Sequence, residues 1–151
     1  SVFFIAESAE WEFASSPVIH KGVVIVQVDV FEGSFVAAFD IDSGNELWRV
    51  ERDEYPGWST PNIYTDDGND RVVVNGFRHR GAYDFKTGTE IWRMSGGGDI
   101  PIPTPVVSDD LVYFNSAHGR FSPILAVKTN AITDNILFFR TEKHLIAISE
   151  K

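Results

Sequence analysis

The residues that could support chemistry in this chain are few and scattered. Its histidines are His20, His79, His118 and His144, and their spacing forms no pair typical of a metal site. The sequence contains no cysteine, which excludes disulfides, thiolate metal ligands and a cysteine nucleophile. A Gly-x-Ser-x-Gly nucleophile motif is also absent from the sequence. The sequence therefore predicts no catalytic residues and no metal site.

Two basic clusters are the strongest candidates for contact with a ligand. Arg78, His79 and Arg80 lead into a predicted strand, and His118 and Arg120 occupy the comparable hairpin further along the chain. Equivalent hairpin tips of a repeat protein lie on one face, so we expect both clusters on the same face. That face could contact a small anion or an acidic peptide, and the alternative is a pair of solvated hairpin tips.

Other polar and aromatic motifs each have a structural alternative. Trp58 could line the ligand face as a platform or belong to the core. The glycine-rich segment 95–99 lacks the Gly-Lys-Ser/Thr of a phosphate loop, which favours a connector. The acidic segment 66–70 lacks the spacing of a calcium loop, which favours a hairpin turn. Asp53 and Glu54 are adjacent and would diverge on a strand, unlike a glycosidase pair.

The elements that must position these residues are β-strands. Apolar and β-branched residues dominate segments 23–30, 71–74, 111–114 and 136–139, and clusters of glycine, serine, asparagine and aspartate separate them. No long segment keeps the 3.6-residue period of an amphipathic helix. The sequence predicts an all-β fold.

A repeat organises these strands. Pro17, Pro61 and Pro105 each follow a serine or threonine and open a predicted strand, at a step of 44 residues (61 − 17 and 105 − 61). Each complete step holds four predicted strands, which is the content of one blade of a β-propeller.

A turn motif recurs at the same step. An aspartate, a Ser/Thr-Gly pair and a tryptophan keep fixed spacing in two copies, formed by Asp40, Gly44 and Trp48 and by Asp84, Gly88 and Trp92. With the preceding alanine, the motif resembles the A-x-D-x-x-T-G-x-x-x-W pattern of the pyrroloquinoline-quinone-type (PQQ-like) propeller repeat, and the resemblance covers residues 16–151. It implies a propeller in which the tryptophan docks between neighbouring blades.

The period fails late in the chain. The predicted repeats are 16–59, 60–103 and 104–130, followed by a half-repeat at 131–151 that looks like a new blade start. Lys128 and Ile132 stand where the motif requires aspartate and glycine. Either residues are missing from the sequence at the junction Lys128–Ile132, or a natural deletion fused the third blade to the closing half-blade.

A partial propeller of about three and a half blades cannot close a ring alone, because closed propellers have about four to eight blades. We expect it to be completed by missing residues or by oligomerisation, and a head-to-tail homodimer is our hypothesis.

Charge limits the classes of partner. The net charge is −9 and the sequence pI is about 4.8. Clustered positive charge is needed to bind phosphates, so nucleic acid and anionic membrane surfaces are disfavoured. No apolar run is long enough for a membrane helix. We therefore expect a protein partner or a small ligand, and no membrane insertion.

The resemblance implies two functional groups. Its quinoprotein dehydrogenases bind the quinone and calcium, but no quinone ligand can be matched residue by residue here, and their vicinal disulfide requires cysteines. Its outer-membrane assembly lipoprotein members are non-catalytic and bind proteins. The sequence favours a non-catalytic binding module without PQQ or calcium, and the resemblance implies a place in the periplasm or outside the cell. The alternatives are a fragment of a PQQ-dependent dehydrogenase-like quinoprotein and a carbohydrate-binding propeller.

Overall fold

A computed structural model of the protein describes residues 14–95, 100–116, 124–129, 136–140 and 145–149. These residues form β-strands and no helix, which confirms the predicted all-β class. The strands are β1 (Val18–His20), β2 (Val23–Val28), β3 (Ser34–Asp40), β4 (Glu46–Arg52), β5 (Asn62–Asp66), β6 (Asn69–Val74), β7 (His79–Asp84), β8 (Glu90–Ser95), β9 (Val106–Ser108), β10 (Leu111–Phe114), β11 (Leu125–Lys128), β12 (Ile136–Arg140) and β13 (Leu145–Ser149).

The strands form three antiparallel sheets in which neighbours in sequence are neighbours in space. The first sheet has the order β1-β2-β3-β4 and the second β5-β6-β7-β8. The third sheet continues through five strands in the order β9-β10-β11-β12-β13. Such meanders need only short hairpin connections, which the turn residues of the sequence provide.

The repeated motif builds the turn between the third and fourth strands of the first two sheets. Oδ1 of Asp40 accepts hydrogen bonds from the backbone N–H and the hydroxyl of Ser43, at 2.8 and 2.6 Å. Asp84 holds Thr87 in the same way, at 3.0 Å for both bonds. The glycine that follows each pair has a positive φ, 70° at Gly44 and 72° at Gly88, which is why glycine recurs there.

The two intersheet cores are apolar. The first and second sheets bury one cluster, formed by Ile25, Val36, Ala38, Trp48, Val72, Val74, Tyr83 and Phe85. The second and third sheets bury another, formed by Tyr64, Val73, Ala82, Trp92, Met94, Val112, Phe114 and Val127. The second sheet is thus covered on both faces, so its middle strands are apolar at successive residues and do not alternate.

The half-repeat predicted at 131–151 supplies β12 and β13, which join the third sheet instead of starting a separate one. The pairing shows how the period changes there. Ala38 pairs with Trp48 and Ala82 with Trp92, whereas Ala126 pairs with Arg140. The partner lies ten residues on in the first two sheets and fourteen in the third, so the connection is four residues longer. Residues 130–132 of the junction Lys128–Ile132 lie outside the described residues.

Candidate functional site

Connecting segments of the first two sheets meet at one end of the structure. We call it the loop end, and it is formed by the segments after β2, β4 and β6 and by residues 100–105, which precede β9. The segment after β4 is joined to the segment after β2 and to residues 100–105 by backbone hydrogen bonds. The N–H of Gly57 donates to the carbonyl of Asp29 at 3.2 Å, and that of Trp58 donates to the carbonyl of Pro101 at 3.1 Å. The loop end is therefore tied together across the sheets.

A buried ion cluster lies beneath the loop end. Arg52, the last residue of β4, donates from Nε to Oδ1 of Asp29 at 2.9 Å and from Nη2 to Oε1 of Glu54 at 3.1 Å. Its Nη1 donates to the hydroxyl of Tyr83 at 3.1 Å, across the intersheet boundary. The side chains of Arg52, Asp29 and Glu54 are 3%, 0% and 1% exposed. A buried guanidinium held by several acceptors fixes the relative position of the two sheets.

Burial and charge act in opposite directions on the pKa values of this cluster. Burial is the largest single influence on Arg52 and disfavours its charged form, but Asp29, Tyr83 and Glu54 together oppose it, and the pKa of Arg52 lies above its ordinary value. Burial raises the pKa of Glu54, while the charge of Arg52 and backbone N–H donors oppose the shift. The cluster is a structural ion network in which each charge has a partner.

Glycine makes this packing feasible at one position. A Cβ added to Gly76 would lie 2.6 Å from Nη2 of Arg52 and 2.7 Å from Oε1 of Glu54. It would also lie 2.5 Å from the carbonyl oxygen of His79. Only a residue without a side chain fits between the ion cluster and this backbone.

Two side-chain amides connect successive sheets at the same level. Gln27 donates from Nε2 to the backbone carbonyl of Asn75 at 2.6 Å. Asn75 donates from Nδ2 to the backbone carbonyl of Asn115 at 3.1 Å. Both side chains are buried, and Asn75 also donates to the carbonyl of Pro103 at 3.0 Å. The first sheet is thereby hydrogen-bonded to the second, and the second to the third, through an amide near the end of the second strand.

At the loop end, three aromatic rings form a continuous series in which two rings are exposed and the third, Phe77, is half-buried. Phe31 contacts Tyr55 edge to face with centroids 5.9 Å apart, and Tyr55 contacts Phe77 at 5.3 Å. Phe31 is 57% exposed and Tyr55 is 40% exposed. The guanidinium of Arg78 lies 4.2 Å from the centroid of the Tyr55 ring. We call Phe31, Tyr55, Phe77 and Arg78 the aromatic loop surface.

Arg78 and His79 lie beside this surface and both are held by carboxylates. Nη1 of Arg78 donates to the two carboxylate oxygens of Asp53 at 2.5 and 2.6 Å. The backbone N–H groups of Arg78 and His79 donate to Glu54 at 2.8 and 2.9 Å. Asp53 faces solvent while Glu54 is buried, so the adjacent carboxylates diverge as expected.

The remaining predicted site residues are distributed differently. Arg80 does not lie on the solvent-facing surface: it is 1% exposed, and its Nε donates to Oδ1 of Asn75 at 3.0 Å. Alternation along β7 turns its side chain to the opposite face from that of His79, against the third sheet. Trp58 is half-buried in the segment after β4. His118 and Arg120 lie outside the described residues.

Within the described ranges, no cluster of three or more histidine, cysteine or acidic side chains could hold a metal ion. The buried carboxylates, Asp29 and Glu54, are both bound to Arg52. The acidic turn considered as a calcium loop is the β5–β6 hairpin, in which Asp70 binds Lys21 at 2.7 Å and His20 at 2.9 Å.

Sequence reasoning missed the ion cluster and the aromatic loop surface. Asp29, Arg52 and Glu54 come from the ends of two different strands, and no spacing in the sequence marks them as neighbours. The aromatic loop surface left a weak signal, since Phe31 and Phe77 both occupy the loop between the second and third strands of their sheets. A comparison of the tips by aromatic content would have found it.

Three four- or five-stranded meanders packed face to face at a 44-residue step define a partial β-propeller. The model of the protein family described as outer membrane protein assembly factor BamB matches residues 32–132, which is more than half of the chain. The chain therefore belongs to this PQQ-like repeat family, as the resemblance predicted. A comparison with curated proteins found no match.

Solved structures share the fold. BamB from Moraxella catarrhalis is 20% identical with a TM-score of 0.57, over 91% of this chain and 50% of that one. A europium-containing methanol dehydrogenase is 16% identical with a TM-score of 0.59, over 82% of this chain and 24% of that one. Quinohemoprotein alcohol dehydrogenase from Comamonas testosteroni is 18% identical with a TM-score of 0.57, over 78% and 19%. The chain thus spans half of BamB and smaller parts of the dehydrogenases.

Among the described residues there is no helix of the length and hydropathy needed to cross a membrane.

Proposed function

We propose that the chain is a non-catalytic propeller module that binds a protein during outer-membrane protein assembly, in or next to the periplasm. The family to which the chain belongs supports a role in outer-membrane protein assembly. The aromatic loop surface supports the binding of a protein. Its three rings come from three different loops of two sheets, yet they form one edge-to-face series with its first two members exposed. This series is the observation that carries the proposal.

Such a surface is suited to a protein segment. Exposed aromatic rings that are already packed bury a large apolar area on binding and lose little conformational entropy. Arg78 is fixed by Asp53 and by the ring of Tyr55, so it adds a positioned donor. Asp53 is 74% exposed and Glu32 is exposed beside Phe31, which favours a partner segment that is apolar with basic residues.

The buried ion cluster has a supporting role in this proposal. Glu54 accepts the backbone N–H groups that orient Arg78 and His79, and Arg52 holds Glu54 in place. We propose that the module acts without a bound quinone or calcium, because the buried carboxylates that could ligate a cation are committed to Arg52.

Ring closure by a second copy is also part of the proposal. The three sheets formed by the described residues are fewer than the roughly four to eight blades of typical closed propellers, so these sheets need further ones to cover their end faces.

The test is a cell-based assembly assay. Bacterial cells that lack their own factor of this family would receive the chain in the periplasm, and the folded fraction of an outer-membrane barrel protein would be measured. The wild-type chain should raise that fraction. The double variant Phe31→Ser and Tyr55→Ser should lose the effect, whereas Ile91→Ser, an exposed apolar residue of β8, should keep it.

Two results would overturn the proposal. Full activity of the double variant would exclude the aromatic loop surface as the binding site. Visible quinone absorbance and dye-linked alcohol oxidation after addition of PQQ and Ca²⁺ would favour the quinoprotein alternative instead.

A further inference from the structure

The amide connection between sheets ends at Asn115. The register aligns the second strands, because Val23 pairs with Asp40, Arg71 with Asp84 and Leu111 with Lys128. Counting four residues on from each gives Gln27, Asn75 and Asn115, which are therefore equivalent. The first two are 3% and 0% exposed and donate to the next sheet, whereas Asn115 is exposed.

The face of the third sheet that lies beyond Asn115 is apolar. Ile124 is 69% exposed and Val106 is 57% exposed. On the same face, Tyr113 pairs with Val106 and with Ala126, and both Tyr113 and Ala126 are half-buried. The equivalents of Ala126 in the first two sheets, Ala38 and Ala82, are both fully buried by the following sheet.

The first sheet presents the opposite kind of face. Val24 and Val26 are only half-buried, although their equivalents Val72 and Val74 in the second sheet are fully buried by the preceding sheet. At the edges of this face, Ile19 is 63% exposed and Ile41 is 44% exposed. The equivalent of Ile41 is Phe85, which is 6% exposed in the second sheet.

The turn at Gly44 shows the same contrast. Nothing lies within 4 Å of a Cβ added to Gly44, whereas a Cβ on the equivalent Gly88 would meet the ring of Trp48 from the preceding sheet. The uncovered face of the first sheet thus resembles the face of the second sheet that packs against the first. The uncovered face of the third sheet resembles the face of the second sheet that packs against the third.

We propose that the free face of the third sheet docks the first sheet of a second copy of this chain, with the Asn115 amide donating to the backbone carbonyl of Gln27 in that copy. The two interfaces between sheets within the chain are the model for this contact. In each one, the face of the earlier sheet packs against the apolar second strand of the later sheet. The side-chain amide of the earlier sheet also donates to a backbone carbonyl near the end of that second strand. Repetition of this contact is head to tail, so two copies close a ring of six described sheets.

This inference rests on the ring closure in the proposed function, but not on the aromatic loop surface. The experiment measures association of the purified chain by sedimentation velocity and light scattering over a concentration series. The wild-type chain should be a dimer. Ile124→Asp and Ile19→Asp should each weaken association, because every interface then contains one buried charge. Asn115→Ala should weaken it by up to about tenfold for each of the two interfaces, because each interface loses one hydrogen bond.

Mixing the two charge variants gives the sharpest result. A head-to-tail pair of one Ile124→Asp chain and one Ile19→Asp chain contains one wild-type interface. The mixture should therefore form dimers at concentrations at which each variant by itself stays monomeric. Ile91→Asp is the matched control, since Ile91 is exposed on β8 although its sheet is covered on both faces. Circular dichroism would confirm that each variant is folded.

A folded wild-type monomer at high micromolar concentration would overturn the assignment, and the face would then belong to a different covering sheet. A dimer that tolerates both charge variants would overturn it as well. Failure of the assembly assay with an intact dimer would instead count against the proposed function alone.

Discussion

The indole ring of Trp48 lies directly against Gly88, so that a Cβ on Gly88 would stand 2.7 Å from Cε3 of the ring. Nε1 of Trp48 donates to the carbonyl of Phe85 at 3.0 Å, which fixes the ring over the turn of the next sheet. The repeated motif therefore does two things. Its glycine adopts the positive φ that the turn of its own sheet requires. At Gly88, the absent side chain also leaves room for the tryptophan of the preceding sheet.

The two motif glycines give a matched pair of variants. Gly88→Ala and Gly44→Ala both place a side chain at positive φ, which costs roughly 1–2 kcal/mol. Gly88→Ala should lose about 1–3 kcal/mol more, because the new methyl group overlaps the indole. Urea unfolding of both variants measures the difference. Equal losses would show that Trp48 does not pack against the turn in solution.

The buried ion cluster should be sensitive to loss of its cation. Arg52→Met would leave Asp29 and Glu54 buried without their guanidinium, and we expect a loss of about 3–5 kcal/mol in the free energy of unfolding. Arg93→Met is the control, because the Arg93–Glu90 pair is exposed and should contribute less than about 1 kcal/mol. Thermal and urea unfolding would both report it. Similar losses in the two variants would contradict a structural role for the cluster.

The amide of Asn75 should contribute to stability across three sheets. It donates to Pro103 and Asn115 and accepts from Arg80, so Asn75→Ala removes three hydrogen bonds made by one buried amide. We expect a loss of about 2–3 kcal/mol. Asn69→Ala, at the exposed first residue of β6, should change stability by less than about 1 kcal/mol. Amide hydrogen exchange would show whether protection falls on both sides of the second sheet; a change confined to β6 would argue against the connection.

Asp70 should produce a defined pH dependence. Its bonds to Lys21 and His20 hold the pKa of its carboxyl well below the ordinary value of 3.8. A lowered pKa in the folded state stabilises the protein above pH 3.8, and this contribution is lost as the pH falls further. Asp70→Asn should therefore cost roughly 1 kcal/mol at neutral pH and progressively less below pH 3.8. Unfolding as a function of pH measures this, with the exposed Asp42→Asn as control. A difference that stays constant down to low pH would exclude the ion pairs as its source.

The sequence predicted the fold well because its signals are local. The turn motif specifies a backbone conformation through Asp40, Ser43 and Gly44 within five residues, and its repetition at 44 residues predicts the second sheet. The change of period near Lys128 was also visible in the sequence. Its consequence was not, since the pairing of Ala126 with Arg140 in one continuous sheet depends on a longer connection.

The sequence by itself determined the class, the repeat and the turn chemistry of this protein, because these depend on short-range patterns. Only the tertiary structure decided which polar residues are inside. Arg78 and Arg80 are two residues apart in the sequence, yet one lies on the aromatic loop surface and the other is 1% exposed against the third sheet. A sheet packed on both faces buries both sets of alternating side chains, so periodicity cannot separate interior from surface there. That distinction comes from the neighbouring sheets, and it places the candidate site where loops of two sheets meet.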